Sequence, residues 1–264
     1  MSNPHRHLPP EMLDHIVDLL HDDPETLEQC CLVSESWVPR ARKHLFARIG
    51  FDSASHLGLW KKTFPDPSNS PAHYAHTLIV SCPQAFTEVD AEEGGLIRAF
   101  SGASQFVVGS DITSLEDSRM PLALFHTFSP TLKSLRLARL ALSCSQVFNL
   151  VRSFPLLEDL TLICGDCSLD DDDPHESRTV VPSTSPVFTG VLELLLWNGI
   201  KDISHQLLSL SGGIHFRGLT LTCSHVEDPL LTTALVERCS HTLASLRIGW
   251  YLVGTSTQHL YLYR

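Results

Sequence analysis

Nowhere in this chain do apolar residues run on for the roughly twenty positions that a membrane-crossing helix needs, so no transmembrane span is expected. Positive charge is also scarce. Lys and Arg number 19 against 30 Asp and Glu, a formal net charge of −11. No basic tract gathers the cations that phosphate contacts require, so no nucleic-acid partner is expected. Signatures of several chemistries are missing too. Gly94-Gly95 and Gly212-Gly213 lack a following Lys-Ser/Thr and do not fit Gly-x-Gly-x-x-Gly, which argues against a phosphate cradle. There is no Gly-x-Ser-x-Gly nucleophile elbow. Cys164-x-x-Cys167 has no second close pair to complete a zinc site, and the fifteen histidines are scattered singly. Carboxylate pairs fall in helix first turns or loops, where capping and solvation explain them. No catalytic centre, metal or cofactor is therefore expected, although a triad assembled from distant positions stays open.

The opening Met-Ser-Asn-Pro-His has no apolar h-region, so no secretory signal is expected. Eight cysteines in a long chain without one read as free thiols in a reducing compartment, cytosol or nucleus. At 264 residues the chain can bury a sizeable core, and one domain plus a small module is the natural count.

What is present begins with Leu8 to Ile49, which holds three short helix signals. Pro9 and Pro10 suit a first helical turn, and Met12, Leu13, Ile16, Val17, Leu19 and Leu20 follow at helical spacing. Asp23 is the expected N-cap of a second helix, with Pro24 at its first position and Leu27, Cys30, Cys31, Leu32 and Val33 along it. Ser36 is expected to cap a third, through Trp37, Ala41, Leu45 and Phe46, with Pro39 tolerated in its first turn. So small a unit carries more apolar surface than it can bury alone, and part of that surface should face a partner or the rest of the chain.

The order Leu8-Pro9-x-Glu11, Ile16, Leu20, Cys31-Leu32-Val33-Ser34-x-x-Trp37 and Ala41-Arg42-x-x-Leu45-Phe46 resembles the F-box. The resemblance covers roughly the first fifty residues. It implies docking on the Skp-type adaptor of a cullin–RING ubiquitin ligase through Leu8, Pro9, Ile16, Leu20, Leu32, Val33 and Trp37. The rest of the chain would then hold a substrate protein.

Residues 1–50 thus read as an F-box-like helical module and 51–72 as a connector, where Pro65-Asp66-Pro67-Ser68-Asn69-Ser70-Pro71 is loop chemistry. Over 73–264 a short motif recurs: Leu78-x-Val80, Phe106-x-Val108, Leu135-x-Leu137, Leu160-x-Leu162, Leu194-x-Leu196, Leu219-x-Leu221 and Leu246-x-Ile248. Successive first positions are 28, 29, 25, 34, 25 and 27 residues apart. A period in the twenties with one short strand per unit signals a leucine-rich-repeat-like solenoid. An apolar residue stands three places upstream in most units (Leu132, Leu157, Val191, Phe216, Leu243). Return helices are expected at Pro121–Phe128, Gln146–Val151 and from Asp228-Pro229 to Cys239. The region resembles the irregular leucine-rich repeats that often follow an F-box in fungal proteins. The expected fold class is α/β: a three-helix module, then strands and return helices that bury their apolar faces only by stacking. Lone strands in an unrelated α/β fold remain the alternative.

The long step reflects an acidic, proline-broken insertion near 166–186, expected as a surface loop. Strand alternation places Cys82, Cys164 and Cys223 in phase with the core, as small buried hydrophobes. The same alternation turns Arg136, Ile163, Leu195, Trp197 and Arg247 outward, a mixture of arginine, aromatic and aliphatic side chains that suits a protein-binding face. A one-residue register shift would bury Leu195 and Trp197 instead. The expected function is a non-catalytic substrate adaptor of a Skp–cullin–F-box type ubiquitin ligase, working intracellularly. A repeat scaffold outside ubiquitin transfer and an enzyme with an unrecognised site are the two rival expectations.

Overall fold

The computed structural model describes residues 9–81, 99–109, 130–140, 142, 144–163, 188–195, 200–210, 213–223, 229–250 and 258–263. The chain is α/β. Among the described residues there are seven helices: α1 Pro10–Leu19, α2 Pro24–Val33, α3 Val38–Leu45, α4 Ala54–Thr63, α5 Cys144–Arg152, α6 Ile200–Leu208 and α7 Pro229–Cys239. Nine strands form one sheet: β1 Arg48–Phe51, β2 Thr77–Val80, β3 Gln105–Gly109, β4 Ser134–Ala138, β5 Asp159–Ile163, β6 Val191–Leu195, β7 Gly218–Cys223, β8 Ser245–Trp250 and β9 Gln258–Tyr263. They lie side by side in chain order. β1 to β8 are parallel, and β9 runs antiparallel to β8. That reversal has a simple cause. Only residues 251–257 separate β8 from β9, too short a stretch for the crossover that a parallel strand needs.

The strands are joined in a repeated way at their starts. The carbonyl of Ala47 accepts from the N–H groups of His76 and Thr77, that of His76 from Ser104 and Gln105, and that of Ser104 from Lys133 and Ser134. Lys133 receives Glu158 and Asp159, and Arg217 receives Ala244 and Ser245, in the same manner. Two units add a threonine. Thr131 Oγ1 donates to the Ser101 and Ala103 carbonyls at 2.7 and 3.0 Å, and Thr242 Oγ1 to those of Phe216 and Cys239 at 3.0 and 3.2 Å. Each threonine stands four places before its unit's first core leucine, Leu135 or Leu246. These bonds give the carbonyls at the strand starts their hydrogen-bond partners.

Two buried clusters organise the interior. One runs from Ile49 through the inward residues of the strands and of α4 to α7 as far as Cys239. The other is local to α1–α3: Val17, Leu27, Cys30 and Ala41, with Leu20, Cys31, Trp37 and Leu45 packed around them. Phe46, at the end of α3, packs against the first cluster, its ring 6.2 Å from Trp60 and 6.4 Å from Phe64 in edge-on contact. Phe51 and Phe100 complete this aromatic group at 5.7 and 5.8 Å from Trp60.

Several features differ from the expectations above: α3 starts at Val38 behind Trp37 with no side-chain cap, in place of the Ser36 cap, and α6 adds a helix to the three expected returns. The sheet begins one strand early, at β1, because Ile49 and Phe51 alternate inward while Arg48 and Gly50 face out. The stretch read as connector contains α4, capped by Ser53, whose hydroxyl accepts from His56 N–H at 3.3 Å, and anchored by fully buried Leu57. Two short 3₁₀ turns, Pro67–Asn69 and Pro71–Tyr74, follow it. In β6 the core pair is Leu192 and Leu194, which pair with Leu160 and Leu162, and not Leu194 and Leu196. Val191, the apolar residue noted upstream in this unit, is 39% exposed. The local cause is Phe188, buried against Phe216 at 4.9 Å, which takes the upstream core place and draws the strand two residues forward.

The helices expected at Gln146–Val151 and after Asp228 are α5 and α7. Pro121–Phe128 and the insertion near 166–186 lie outside the described residues, as does the side chain of Cys223. Cys82 and Cys164 do too. No helix among the described residues is long and apolar enough to cross a membrane.

Candidate functional site

The helical region exposes what a soluble surface normally hides. On α1, Met12 (52% exposed), Ile16 (40%) and Leu19 (70%) recur at i, i+4 and i+7, one helix face, while only Val17 is buried. At the end of α2, Leu32 and Val33 are 79% and 70% exposed, although Leu27 and Cys30 of the same helix are buried. The local core of four small or medium side chains uses up only the opposite faces of these helices. Single exposed apolar residues are ordinary, but five on two short helices call for a covering surface.

Of the sequence-selected docking residues, Ile16, Leu32 and Val33 are on these faces, and Pro9 is exposed as the residue preceding α1. Leu20 and Trp37 are half-buried against the local core, so they support the surface from below. Leu8 lies outside the described residues. Met12 and Leu19 were visible as periodic apolar positions but not singled out; their i, i+4, i+7 spacing with Ile16 is the signal that identifies them.

Charge holds α1 to α3. Asp18 accepts from Arg40 Nε at 2.5 Å and from Arg40 Nη2, a two-pronged pairing, and its Oδ1 lies 2.7 Å from His44 Nε2. Hydrogen bonds from Arg40, and secondarily His44, hold the Asp18 carboxyl well below the usual carboxylate range. On α2, Asp23 caps the helix, accepting from Thr26 N–H at 3.1 Å and Thr26 Oγ1 at 2.6 Å.

The outward face of the strands brings the second group of selected residues together. Arg136, Thr161, Glu193, Thr220 and Arg247 are successive register partners from β4 to β8, and so form one row across the sheet. Ala138, Ile163, Leu195, Thr222 and Gly249 form the adjacent row. Arg136 and Arg247 are exposed, while Ile163 and Leu195 are half-buried. Leu195 thus follows the outward phase, with Leu192 and Leu194 buried beside it. Trp197 lies outside the described residues. Glu193, which the sequence reading passed over, stands midway between the two arginines and accepts from Thr161 Oγ1 at 3.2 Å. In the row at the strand starts, Asp159 Oδ1 accepts from Val191 N–H at 2.6 Å.

A cavity of about 380 Å³ opens by α6 and α7, lined by Leu208, Ala234, Glu237 and Arg238. Among the described residues its lining offers no nucleophile paired with a base. Cys30, Cys144 and Cys239 are buried and Cys31 is half-buried, none of the four in a disulfide. Burial pushes the thiols of Cys31 and Cys239 up in pKa, away from reactive thiolate. Among the described residues no three His, Cys, Asp or Glu side chains gather as a metal site would require. No protein-family model matches the chain, and no curated protein matches it.

Proposed function

We propose that this chain is a substrate-recognition adaptor of a Skp–cullin–F-box type ubiquitin ligase. In this reading α1–α3 form an F-box-like module that docks on the Skp-type adaptor protein, and through it on a cullin–RING ligase. The strands and return helices form a leucine-rich-repeat-like solenoid whose outward strand face holds a substrate protein. The chain itself catalyses nothing. It raises the concentration of substrate near ligase-bound ubiquitin, a gain that tethering supplies without new chemistry.

The observation that carries this reading is the pair of exposed apolar faces, Met12/Ile16/Leu19 on α1 and Leu32/Val33 on α2, beside a local core too small to use them. Of these, Ile16, Leu32 and Val33 are positions through which the F-box resemblance implies docking. Sequential parallel strands with buried Leu-x-Leu pairs support the repeat reading. The test is co-expression with a Skp-type adaptor, followed by size-exclusion chromatography. A stable one-to-one complex is expected, and separate elution at micromolar concentrations would favour a repeat scaffold unconnected with ubiquitin transfer.

A further inference from the structure

We infer that the segment taken by the outward strand face is a polyproline-type stretch of the substrate carrying an acid, a base and an acid at three-residue spacing. The inference rests on the reading of that face as the substrate surface, and adds the chemistry of what it holds. Arg136, Glu193 and Arg247 stand on β4, β6 and β8 of a single register row. With strands about 4.8 Å apart, each charge is about 9.6 Å from the next and the arginines are about 19 Å apart. A polyproline II segment rises about 3.1 Å per residue with three residues per turn, so every third side chain points the same way at about 9.3 Å intervals. The two periods agree within a few tenths of an ångström. An extended β-type peptide turns a like-facing side chain every second residue, at about 6.8 or 13.6 Å, and misses the row. A helix repeats after seven residues at about 10.5 Å and is about 2 Å out of step at the far arginine.

The surroundings of the row fit this occupant. Arg136 is exposed and makes no ion pair among the described residues. Glu193 and Asp159 are half-buried; Glu193 already accepts from Thr161 and Asp159 from Val191 N–H. The adjacent row offers Ile163 and Leu195 as half-buried apolar contacts for proline rings. A chain with net charge −11 repels a uniformly acidic ligand, whereas alternation leaves the segment only one net negative charge. A pre-extended polyproline segment also loses little conformational freedom on docking.

The experiment is fluorescence anisotropy on the purified full chain with labelled synthetic proline-rich peptides. One carries Glu, Lys and Glu at every third position, a second carries Lys, Glu and Lys there, and helical and β-type controls space the same charges by seven and by four. Wild type should prefer the first peptide over the second by about tenfold, at roughly threefold per exposed pair. The triple variant R136E/E193K/R247E should reverse that order. The single exposed Arg136→Glu change should weaken the first peptide about threefold, which keeps the test open if the triple variant does not fold. Equal ranking of the two peptides by wild type and both variants, or a control spacing that binds as well, overturns the inference. Adaptor co-elution, measured on the same samples, separates the two readings. Correct peptide ranking without co-elution supports the segment chemistry and overturns the ligase assignment; co-elution with indifferent ranking does the reverse.

Discussion

Asp18 on α1 and Arg40 on α3 face each other through two parallel N–H···O contacts, and His44, one turn further along α3, approaches the same carboxylate at 2.7 Å. This carboxylate links two helices whose shared buried core is only a handful of side chains, so electrostatics contributes visibly to how the exposed faces of α1 and α2 are held.

The first prediction follows from the sign of that interaction. The folded-state pKa of Asp18 is depressed below its ordinary value of 3.8, so the unfolded chain takes up the proton first as pH falls. The stabilisation is therefore fully present above about pH 4 and is lost as pH drops through the folded-state value. Asp18→Asn should lower the melting temperature at pH 7 and flatten its fall below pH 4. Comparing melting curves of the two proteins from pH 7 to pH 2 isolates this group from the other carboxylates. Parallel curves across the range would show that the pairing contributes nothing.

Gly190 supplies the second. A Cβ there would lie 1.9 Å from Asp159 Oδ1, 2.8 Å from its Cγ and 2.9 Å from the Glu158 carbonyl oxygen. The side chain alone cannot relieve this, because the Glu158 carbonyl is backbone and accepts from Gly190 N–H at 3.1 Å. Gly190→Ala should push β6 from β5 and destabilise the chain by about 1–3 kcal/mol. Urea unfolding measures it. A change under about 0.5 kcal/mol, the range of neutral surface substitutions, would mean the strands can separate freely here.

Cysteine reactivity gives the third. Burial pushes both thiols up in pKa, but Cys239 is buried whereas Cys31 is only half-buried. In native protein treated with iodoacetamide at pH 8, peptide mapping should find Cys31 modified well before Cys239, Cys30 and Cys144. Denaturation should abolish the order. Native labelling of Cys239 at the rate of Cys31 would contradict the described core.

These relationships differ in how far the sequence reveals them. Leu135-x-Leu137 and Leu160-x-Leu162 could be read directly, since period-two alternation between polar neighbours has one solution when both faces differ. In β6, Leu192 and the run Leu194-Leu195-Leu196 offer two Leu-x-Leu pairs, and the choice depends on Phe188 meeting Phe216 from the next unit. That is a tertiary contact no local pattern contains. β1 is only Arg48-Ile49-Gly50-Phe51, adjoins a helix and includes a glycine, so its inward residues looked like the tail of the helical region. α6 left a readable trace in Ile200, Ile203 and Leu207 at helical spacing. The outward row was legible at Arg136 and Arg247, but Glu193 gains its meaning only from register, which sets it two strands from each.

The central claim, docking on a Skp-type adaptor through the exposed faces of α1 and α2, is tested most directly by isothermal titration of the full chain against that adaptor. Leu32 and Val33 are 79% and 70% exposed, so Leu32→Ala with Val33→Ala should leave the melting temperature nearly unchanged. Buried on docking, two such anchors contribute about 1–3 kcal/mol together, so the double variant should bind about five- to 150-fold more weakly than wild type. Saturable wild-type binding with that loss is the predicted result. Wild type that shows no binding heat, or a double variant that binds as tightly as wild type, would contradict the account.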